Sequence, residues 1–461
     1  MKIFNAYKIR QTHFSSKLIL LTVFWISFLL SIGALPEDIF KFGDSFFDSF
    51  NSLRISFPLI AAIALVLYFV IIIFINHKKE IKVFEKKSII FFMFLLYLIT
   101  QIIGLFLRNY DIKTINLDNA YLVILSSGTI INLFLVNQIQ SKNITQNFFY
   151  LTLFIIFFAG IILLYNHLTL SSLNESYYLS LYNSVPINKQ FFLNHELPRV
   201  TGISRTLAIL NVSLICFYFN FNKKKYKLFI LTIIFLISFI IFLFESRGTI
   251  LCYSFTIFFF LLISKKIYLI NKIKFFIVII IIPIFIFQSS RYLLIKNFDD
   301  KIHPVFTQEG NDDVKVPNRI IYDKSTSGRT SLWINAIENY DKKKIFGYGS
   351  QGDRFLLKGN IVKSYSNNVS NAFIYAFLSG GYFGLIFFFL FFLGISILIF
   401  KKIFKENLFN NNDNYTEKIA VLFIFFFIIR AFFENSFGVF GIDFIIVIIS
   451  SFLLIFSNKN T

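Results

Sequence analysis

The arginines of this chain are its clearest candidates for chemistry. The sequence holds eleven of them, and Arg291, Arg319, Arg329 and Arg354 fall in segment 289–371, the one long hydrophilic stretch of an apolar chain. A guanidinium group can grip a phosphate in two places and stays charged when water is excluded. The segment therefore predicts a binding site for an anionic substrate.

Three further arginines occupy positions where a charge is costly. Arg205 lies about one turn into an apolar stretch, Arg247 lies in a minimal connection between two such stretches, and Arg430 follows a run of apolar residues. A cation at the centre of a membrane span costs roughly 2.5–3.5 kcal/mol on insertion scales, and such residues normally mark a substrate path. For Arg430, an ion pair with Glu434 four residues later is an equally weighted alternative.

Several classes of chemistry are excluded by what the chain lacks. Cys216 and Cys252 both lie in apolar stretches and the five histidines are scattered, so neither a disulfide framework nor a zinc cluster is expected. No glycine-rich phosphate loop followed by Lys occurs, which argues against a nucleotide-hydrolysing motor. We expect no metal and no cofactor.

Long apolar segments must position these arginines. Hydrophobic residues make up 56% of the chain and charged residues 15%, whereas soluble proteins average about 25% charged residues. Runs of roughly 20 apolar residues can cross about 30 Å of hydrocarbon. They predict spans near 18–35, 55–75, 88–107, 119–137, 148–165, 201–219, 228–244, 249–264, 273–288, 372–400, 419–437 and 438–456.

These spans predict an all-α integral membrane protein of about twelve transmembrane helices, in one polytopic domain over residues 1–461. The 372–400 run is long enough to hold a short helix before the true span. Every second connection is rich in Lys, and the positive-inside rule places these connections in the cytoplasm. They are 1–17, 77–87, 220–227, 264–274 and 401–418.

This orientation puts both termini in the cytoplasm and makes 289–371 a large periplasmic loop. Every arginine except Arg10 then lies on the outer side or at an outer helix end. The net charge of +20 is therefore mostly a signal of topology and does not indicate a nucleic-acid partner.

Short motifs occur in a fixed order within 245–440. They are Glu-Ser-Arg-Gly at 245–248, Ser-Gly-Arg-Thr-Ser-Leu-Trp at 327–333, Ile-Phe-Gly-Tyr-Gly at 345–349, Ser-Asn-Ala-Phe-Ile at 370–374, Gly-Gly-Tyr-Phe-Gly at 380–384 and Arg-Ala-Phe-Phe-Glu-Asn at 430–435. With these motifs the region resembles the O-antigen ligase/polymerase family. The resemblance implies a GT-C-like polytopic bundle in the bacterial inner membrane.

The resemblance also implies an activity and its partners. Members of this family are membrane glycosyltransferases that move a glycan from undecaprenyl pyrophosphate to an acceptor hydroxyl on the outer face. The expected partners are undecaprenyl-pyrophosphate-linked oligosaccharides, membrane lipid and a chain-length regulator protein. Breaking the C1–O bond leaves more charge on the pyrophosphate, which arginines fixed in a dry site would stabilise.

The motifs and the costly arginines together give the candidate site. Glu434 is the first choice for the general base, with Glu245, Asp353 and His303 left open behind it. Capping of the following helix explains Asn371 equally well, and turn and packing roles are favoured for the motif glycines. The candidates are Glu434, Arg430 and Arg329 for catalysis, and Arg205, Arg247, Arg291, Arg354, Ser370 and Asn371 for substrate binding.

One position departs from the family pattern. Ser370 stands where ligases of the family carry a His, while the polymerases tolerate other residues there. This favours a polymerase that joins lipid-linked repeat units. A ligase that transfers glycan to lipid A core remains an alternative, and so does a transporter of lipid-linked oligosaccharides, in which arginines would line a cavity reaching the midplane.

Overall fold

The structure, a computed structural model, is mainly helical over the residues that it describes, and those residues form no strand. It describes residues 89–108, 149–150, 153–154, 157, 161, 200–220, 224–243, 246–265, 267–289, 329–341, 344–350, 352–357, 369–410, 414–438 and 442–456. The predicted spans 18–35, 55–75 and 119–137 lie outside these residues, as does most of 148–165.

The helices of the described residues follow the chain in a simple order. They are α1 (Ile89–Leu107), α2 (Val200–Asn220), α3 (Lys224–Leu243), α4 (Arg247–Ile263), α5 (Leu269–Ser289), α6 (Arg329–Glu338), α7 (Gly352–Leu357), α8 (Ala372–Phe400), α9 (Tyr415–Arg430) and α10 (Ile442–Phe456). A π-helical turn, Ile277–Ile281, lies inside α5, and another, Lys401–Lys405, extends α8.

The apolar helices are those of a multi-pass membrane protein and agree with the predicted spans. Within the described residues, four helices are long and apolar enough to cross a membrane, and α1, α4 and α10 contain shorter apolar helices. The four are Gly202–Phe219, Lys225–Leu243, Leu269–Ser289 and Ala372–Lys405.

The end of α9 differs from the prediction. A single span was expected over 419–437, but α9 ends at Arg430, where the N–H groups of Phe433 and Glu434 both turn back to the Arg430 carbonyl. A 3₁₀ turn, Ser436–Gly438, follows. The Tyr97 hydroxyl of α1 donates to the Gly438 carbonyl over 2.6 Å, which fixes this turn against the bundle.

The chain forms two compact units, one of residues Met1–Ile155 with Ser331–Thr461 and one of Ile156–Thr330. In the second unit, α2, α3 and α4 are joined by hydrogen bonds among polar side chains that lie in otherwise apolar helices. The Asn211 amide of α2 donates to Ser238 of α3 over 2.9 Å and to Tyr253 of α4 over 2.6 Å. Polar bonds between helices are a common means of association in lipid, where apolar burial gives little drive.

In the first unit, α1 packs along α8 through small residues. A methyl group at Gly380 of α8 would meet the Thr100 hydroxyl of α1 at 2.7 Å. A methyl group at Gly104 of α1 would meet the amide of Gly349, in the loop before α7, at 2.6 Å. Phe94 of α1 contacts Phe391 of α8 and stacks on Phe444 of α10. Close backbone approach and stacked aromatic rings thus form the core of this unit.

Candidate functional site

A glycine-rich loop enters a break in α8. Gly381 has φ 65° and ψ −159°, which interrupts the helix and exposes the carbonyls of the turn before it. The N–H groups of Tyr348 and Gly349 donate to Leu378 and Ser379 carbonyls, each over 2.9 Å. The break divides α8 into a short N-terminal segment and a longer span, as the length of 372–400 predicted.

Only glycine fits where this loop meets the break. Gly347 and Gly349 have φ values of 71° and 78°, in the region that side chains avoid. A methyl group on Gly381 would overlap the Ile345 carbonyl oxygen. The glycines of 345–349 and 380–384 therefore allow the loop to pack against the break in α8, which agrees with the predicted turn and packing roles.

Asn371 caps the N-terminal end of α8. Its side-chain oxygen accepts from the N–H groups of Phe373 and Ile374 over 2.9 and 3.1 Å, so two of the free donors of the first turn are satisfied. This geometry is that of the capping role. Substrate contact through Asn371 stays a prediction.

The same residue ties α8 to the turn after α9. The Asn371 amide group donates to the Phe432 carbonyl over 3.1 Å, and the Asn371 N–H donates to Asn435 over 3.2 Å. The Ala372 N–H donates to the Ala431 carbonyl over 2.8 Å. Two motifs far apart in sequence, 370–374 and 430–435, therefore form one structural feature.

Ser370, immediately before this cap, has a strained backbone. Its φ is 45° and the residue is buried. A left-handed conformation costs a non-glycine residue roughly 1–2 kcal/mol, and such strain persists only where the surroundings impose it. Position 370, at which ligases of the family carry His, is therefore a constrained turn.

Arg430 is buried and ion-paired with Asp443 of α10. Its Nη1 contacts the Asp443 carboxylate, and the Ser436 hydroxyl approaches the same oxygen at 3.5 Å. The considered pair with Glu434 is thus replaced by a pair with Asp443. Glu434 is half-exposed and its N–H donates to the Arg430 carbonyl over 2.8 Å.

Sequence reasoning missed Asp443. The available signal was a single acidic residue within an otherwise apolar final span, Ile442–Phe456. Such a residue inside a membrane segment usually faces a partner of opposite charge. The partner was Arg430, at the end of the preceding helix.

The described part of segment 289–371 packs on α8 through a small aromatic core. Tyr340 contacts Phe377 and Tyr348, and the Trp333 ring N–H donates to the Val369 carbonyl. Burial raises the pKa of Tyr340 to about 12. Trp333, the last residue of motif 327–333, thus fixes the backbone just before Ser370.

The structure places most of the remaining candidate arginines on other helices. Arg205 lies in the second turn of α2, half-buried, and Arg247 is exposed as the first residue of α4. Arg329 is the first residue of α6, and Arg354 lies in α7. Arg291 lies outside the described residues. The first unit brings four candidates close together, namely Ser370, Asn371, Arg430 and Glu434.

The chemistry of this cluster is that of hydrogen bonding and positive charge. The described residues hold no group of three or more His, Cys, Asp or Glu side chains that could hold a metal ion. The cluster offers guanidinium, amide and carboxylate groups where α8 begins, α9 ends and α10 begins. These groups can bind hydroxyl and phosphate groups.

Residues 231–389 match the family model described as O-antigen ligase. The match supports the O-antigen ligase/polymerase family, whose members are membrane enzymes resembling glycosyltransferases. The family implies a ligase- or polymerase-type function in the synthesis of surface polysaccharide. No curated protein matches the chain.

Proposed function

We propose, from the O-antigen ligase/polymerase family to which residues 231–389 are assigned, that this chain is an O-antigen or related surface polysaccharide polymerase. It would join repeat units carried on undecaprenyl pyrophosphate at the periplasmic face of the bacterial inner membrane, with both termini in the cytoplasm. The observation that carries polymerase over ligase is Ser370, because it replaces the imidazole that the family's ligases present.

The reaction has a simple balance. A hydroxyl of the acceptor glycan attacks C1 of the donor sugar, the C1–O bond to pyrophosphate breaks, and the hydroxyl proton leaves to a base. Negative charge grows on the leaving pyrophosphate, so fixed cations lower the barrier. Five arginines are proposed to bind the pyrophosphate, because their forked donors match phosphate oxygens. They are Arg205, Arg247, Arg291, Arg329 and Arg354.

Arg430 has a more indirect part in this proposal. Its ion pair with Asp443 neutralises the charge within the bundle, so the guanidinium acts on substrate through donors that the pair leaves available. Glu434, half-exposed in the adjacent turn, is the proposed base. Asn371 and Ser370 border the same turn and would contact the acceptor.

The two alternative functions differ from polymerisation in what happens to the donor. A ligase would transfer glycan once to lipid A core, and a transporter of lipid-linked oligosaccharide would move the donor without cleaving it. The transporter is disfavoured because the candidate arginines of the described helices lie at helix ends or within the first two turns, whereas a transport path needs cationic groups near the midplane.

Purified protein supplied with synthetic lipid-linked repeat units tests the proposal. A polymerase produces a ladder of longer glycans without added nucleotide sugar. One glycan transferred to lipid A core, with no ladder, would identify a ligase. Movement of intact donor across a vesicle membrane would identify a transporter.

Arg247 offers a sharp variant for this assay, because it is exposed and its loss leaves the packing intact. We expect Arg247→Lys to lose most of the ladder, since an ammonium group cannot bind pyrophosphate in two places. Lys265→Ala, which removes an exposed charge just after the opposite end of α4, is the matched control. Full activity of Arg247→Lys would show that Arg247 does not bind the pyrophosphate in two places.

A further inference from the structure

We propose that Asp353 is a positioning residue, which holds Ser370 in the left-handed conformation that the acceptor side of the site requires. The inference rests on the proposed function for its link to glycan transfer. Asp353 reaches the site from α7, whereas Ser370 lies in the turn before α8.

The backbone around Ser370 is held on both sides. The Val369 N–H donates to the Asp353 carboxylate over 3.1 Å, and the Val369 carbonyl accepts from Trp333. On the other side, the Asn371 N–H is held by Asn435 over 3.2 Å. Ser370 is thus fixed between two anchored neighbours at a φ of 45°.

Asp353 is itself held rigidly. It is fully buried, and the first residue of its helix, Gly352, donates to the Gly349 carbonyl over 3.0 Å. A methyl group at Gly352 would lie 2.8 Å from Tyr348 Cβ and 3.0 Å from the Leu378 carbonyl oxygen. The carboxylate therefore transmits the position of the docked glycine-rich loop to the turn that carries Ser370.

This arrangement explains a buried acid that no reaction step uses. A buried carboxylate is costly unless hydrogen bonds offset that cost, and one Asp353 oxygen, Oδ2, accepts from the backbone N–H immediately before the strained residue. Strain at one non-glycine residue persists where the surroundings over-determine it. Asp353 and Trp333 supply that constraint from one side, and Asn435 supplies it from the other.

The test measures the turn directly, apart from activity. Ser370→Cys provides a thiol at the buried position, and the native Cys216 and Cys252, both buried, set the labelling background. Adding Asp353→Ala should raise the rate of maleimide labelling at position 370 by about tenfold, because local opening becomes easier. Asp341→Ala, which removes an exposed carboxylate elsewhere in segment 289–371, should leave the labelling rate unchanged.

A second-site change tests the mechanism. Asp353→Ala should reduce kcat for glycan transfer more than it raises KM, and Ser370→Gly in that background should restore about half of the lost kcat. Glycine adopts a positive φ without help, so the turn no longer needs Asp353. Unchanged labelling together with no rescue by glycine would overturn the positioning role.

A conservative variant decides the case in which Asp353→Ala fails to fold. Asp353→Asn keeps an oxygen that can accept from Val369, so labelling at position 370 should match that of the parent protein. Faster labelling in Asp353→Asn, or its failure to fold, would overturn the proposal. Wild-type protein that makes no glycan product would refute the proposed function, while the labelling rates would still decide the role of Asp353.

Discussion

Burial separates two arginines that look alike in the sequence. Arg430 is buried against Asp443, whereas Arg247 is exposed at the start of α4. Removing one partner of a buried ion pair leaves the other charge in a poor solvent, and removing an exposed charge does not. We therefore expect the first change to act mainly on folding, whereas under the proposed function the second acts on pyrophosphate binding.

We therefore expect Arg430→Ala to lower the free energy of unfolding by about 3–5 kcal/mol, because Asp443 would stay buried without its guanidinium partner. Replacing both residues by apolar ones, Arg430→Met with Asp443→Leu, should cost less than the sum of the single changes. Thermal unfolding in detergent measures both. Arg247→Ala should change stability by no more than about 0.5 kcal/mol, and additive losses at 430 and 443 would contradict the pair.

Asn371 can be separated into its capping and binding roles. Asn371→Ala should lower stability by about 1–2 kcal/mol through loss of the cap. Asn371→Asp keeps the oxygen that accepts from Phe373 and Ile374, so it should recover much of that stability. If Asn371 also binds substrate through its amide donors, Asn371→Asp stays inactive while folded.

Ser370→Ala is the control for that series. It should retain substantial polymerisation, because a lone hydroxyl with a pKa far above neutral is a poor base. Loss of all transfer in Ser370→Ala, with normal stability, would assign the hydroxyl a chemical role.

At the scale of elements, the break in α8 is the feature on which the site depends. The loop 345–349 docks into it through two backbone hydrogen bonds. α7 and the turn 369–371 follow from that docking, because Asp353 holds Val369. A defect in the break should therefore be transmitted to Ser370 and Asn371.

We expect Gly381→Ala to destabilise the protein severely and to abolish activity. The backbone at Gly381 is accessible in practice only to glycine, at a cost of about 1–3 kcal/mol for other residues, and the added methyl group would overlap the Ile345 oxygen. Gly202→Ala in α2 is the matched control, because nothing lies within 4 Å of a methyl group there. That control should be neutral or stabilising by up to about 1 kcal/mol, as folded yield and melting temperature would report.

At the scale of the whole molecule, orientation is the property that the sequence predicts most directly. The Lys-rich connections and the arginine-rich segment 289–371 alternate along the chain. The positive-inside rule then puts the termini in the cytoplasm and 289–371 outside.

A single cysteine near Lys315, which lies outside the described residues, should react with a membrane-impermeant reagent in intact spheroplasts. The buried Cys216 and Cys252 should stay unlabelled. A cysteine near Lys79, in a predicted cytoplasmic connection, should react only after lysis. The reverse pattern would invert the topology.

The sequence by itself determined that the protein is helical and rich in apolar spans, and it placed the four long apolar helices that the structure describes. Hydropathy is a local property, since about 20 apolar residues must become a helix in lipid wherever they occur. For the same reason 201–219, 228–244, 273–288 and 372–400 agree with helices of the structure. The motif order also predicted the family resemblance, which the family match over 231–389 supports.

The tertiary structure decided the partners of the site residues, because pairing depends on contacts between residues far apart in the chain. Arg430 could reach Glu434 by helical spacing alone, yet the turn after α9 brings Asp443 to it instead. Asn371 meets Phe432 and Asn435 only because the start of α8 lies against the turn that follows α9. The strain at Ser370 depends likewise on Asp353, Trp333 and Asn435, whose convergence no local pattern of the sequence encodes.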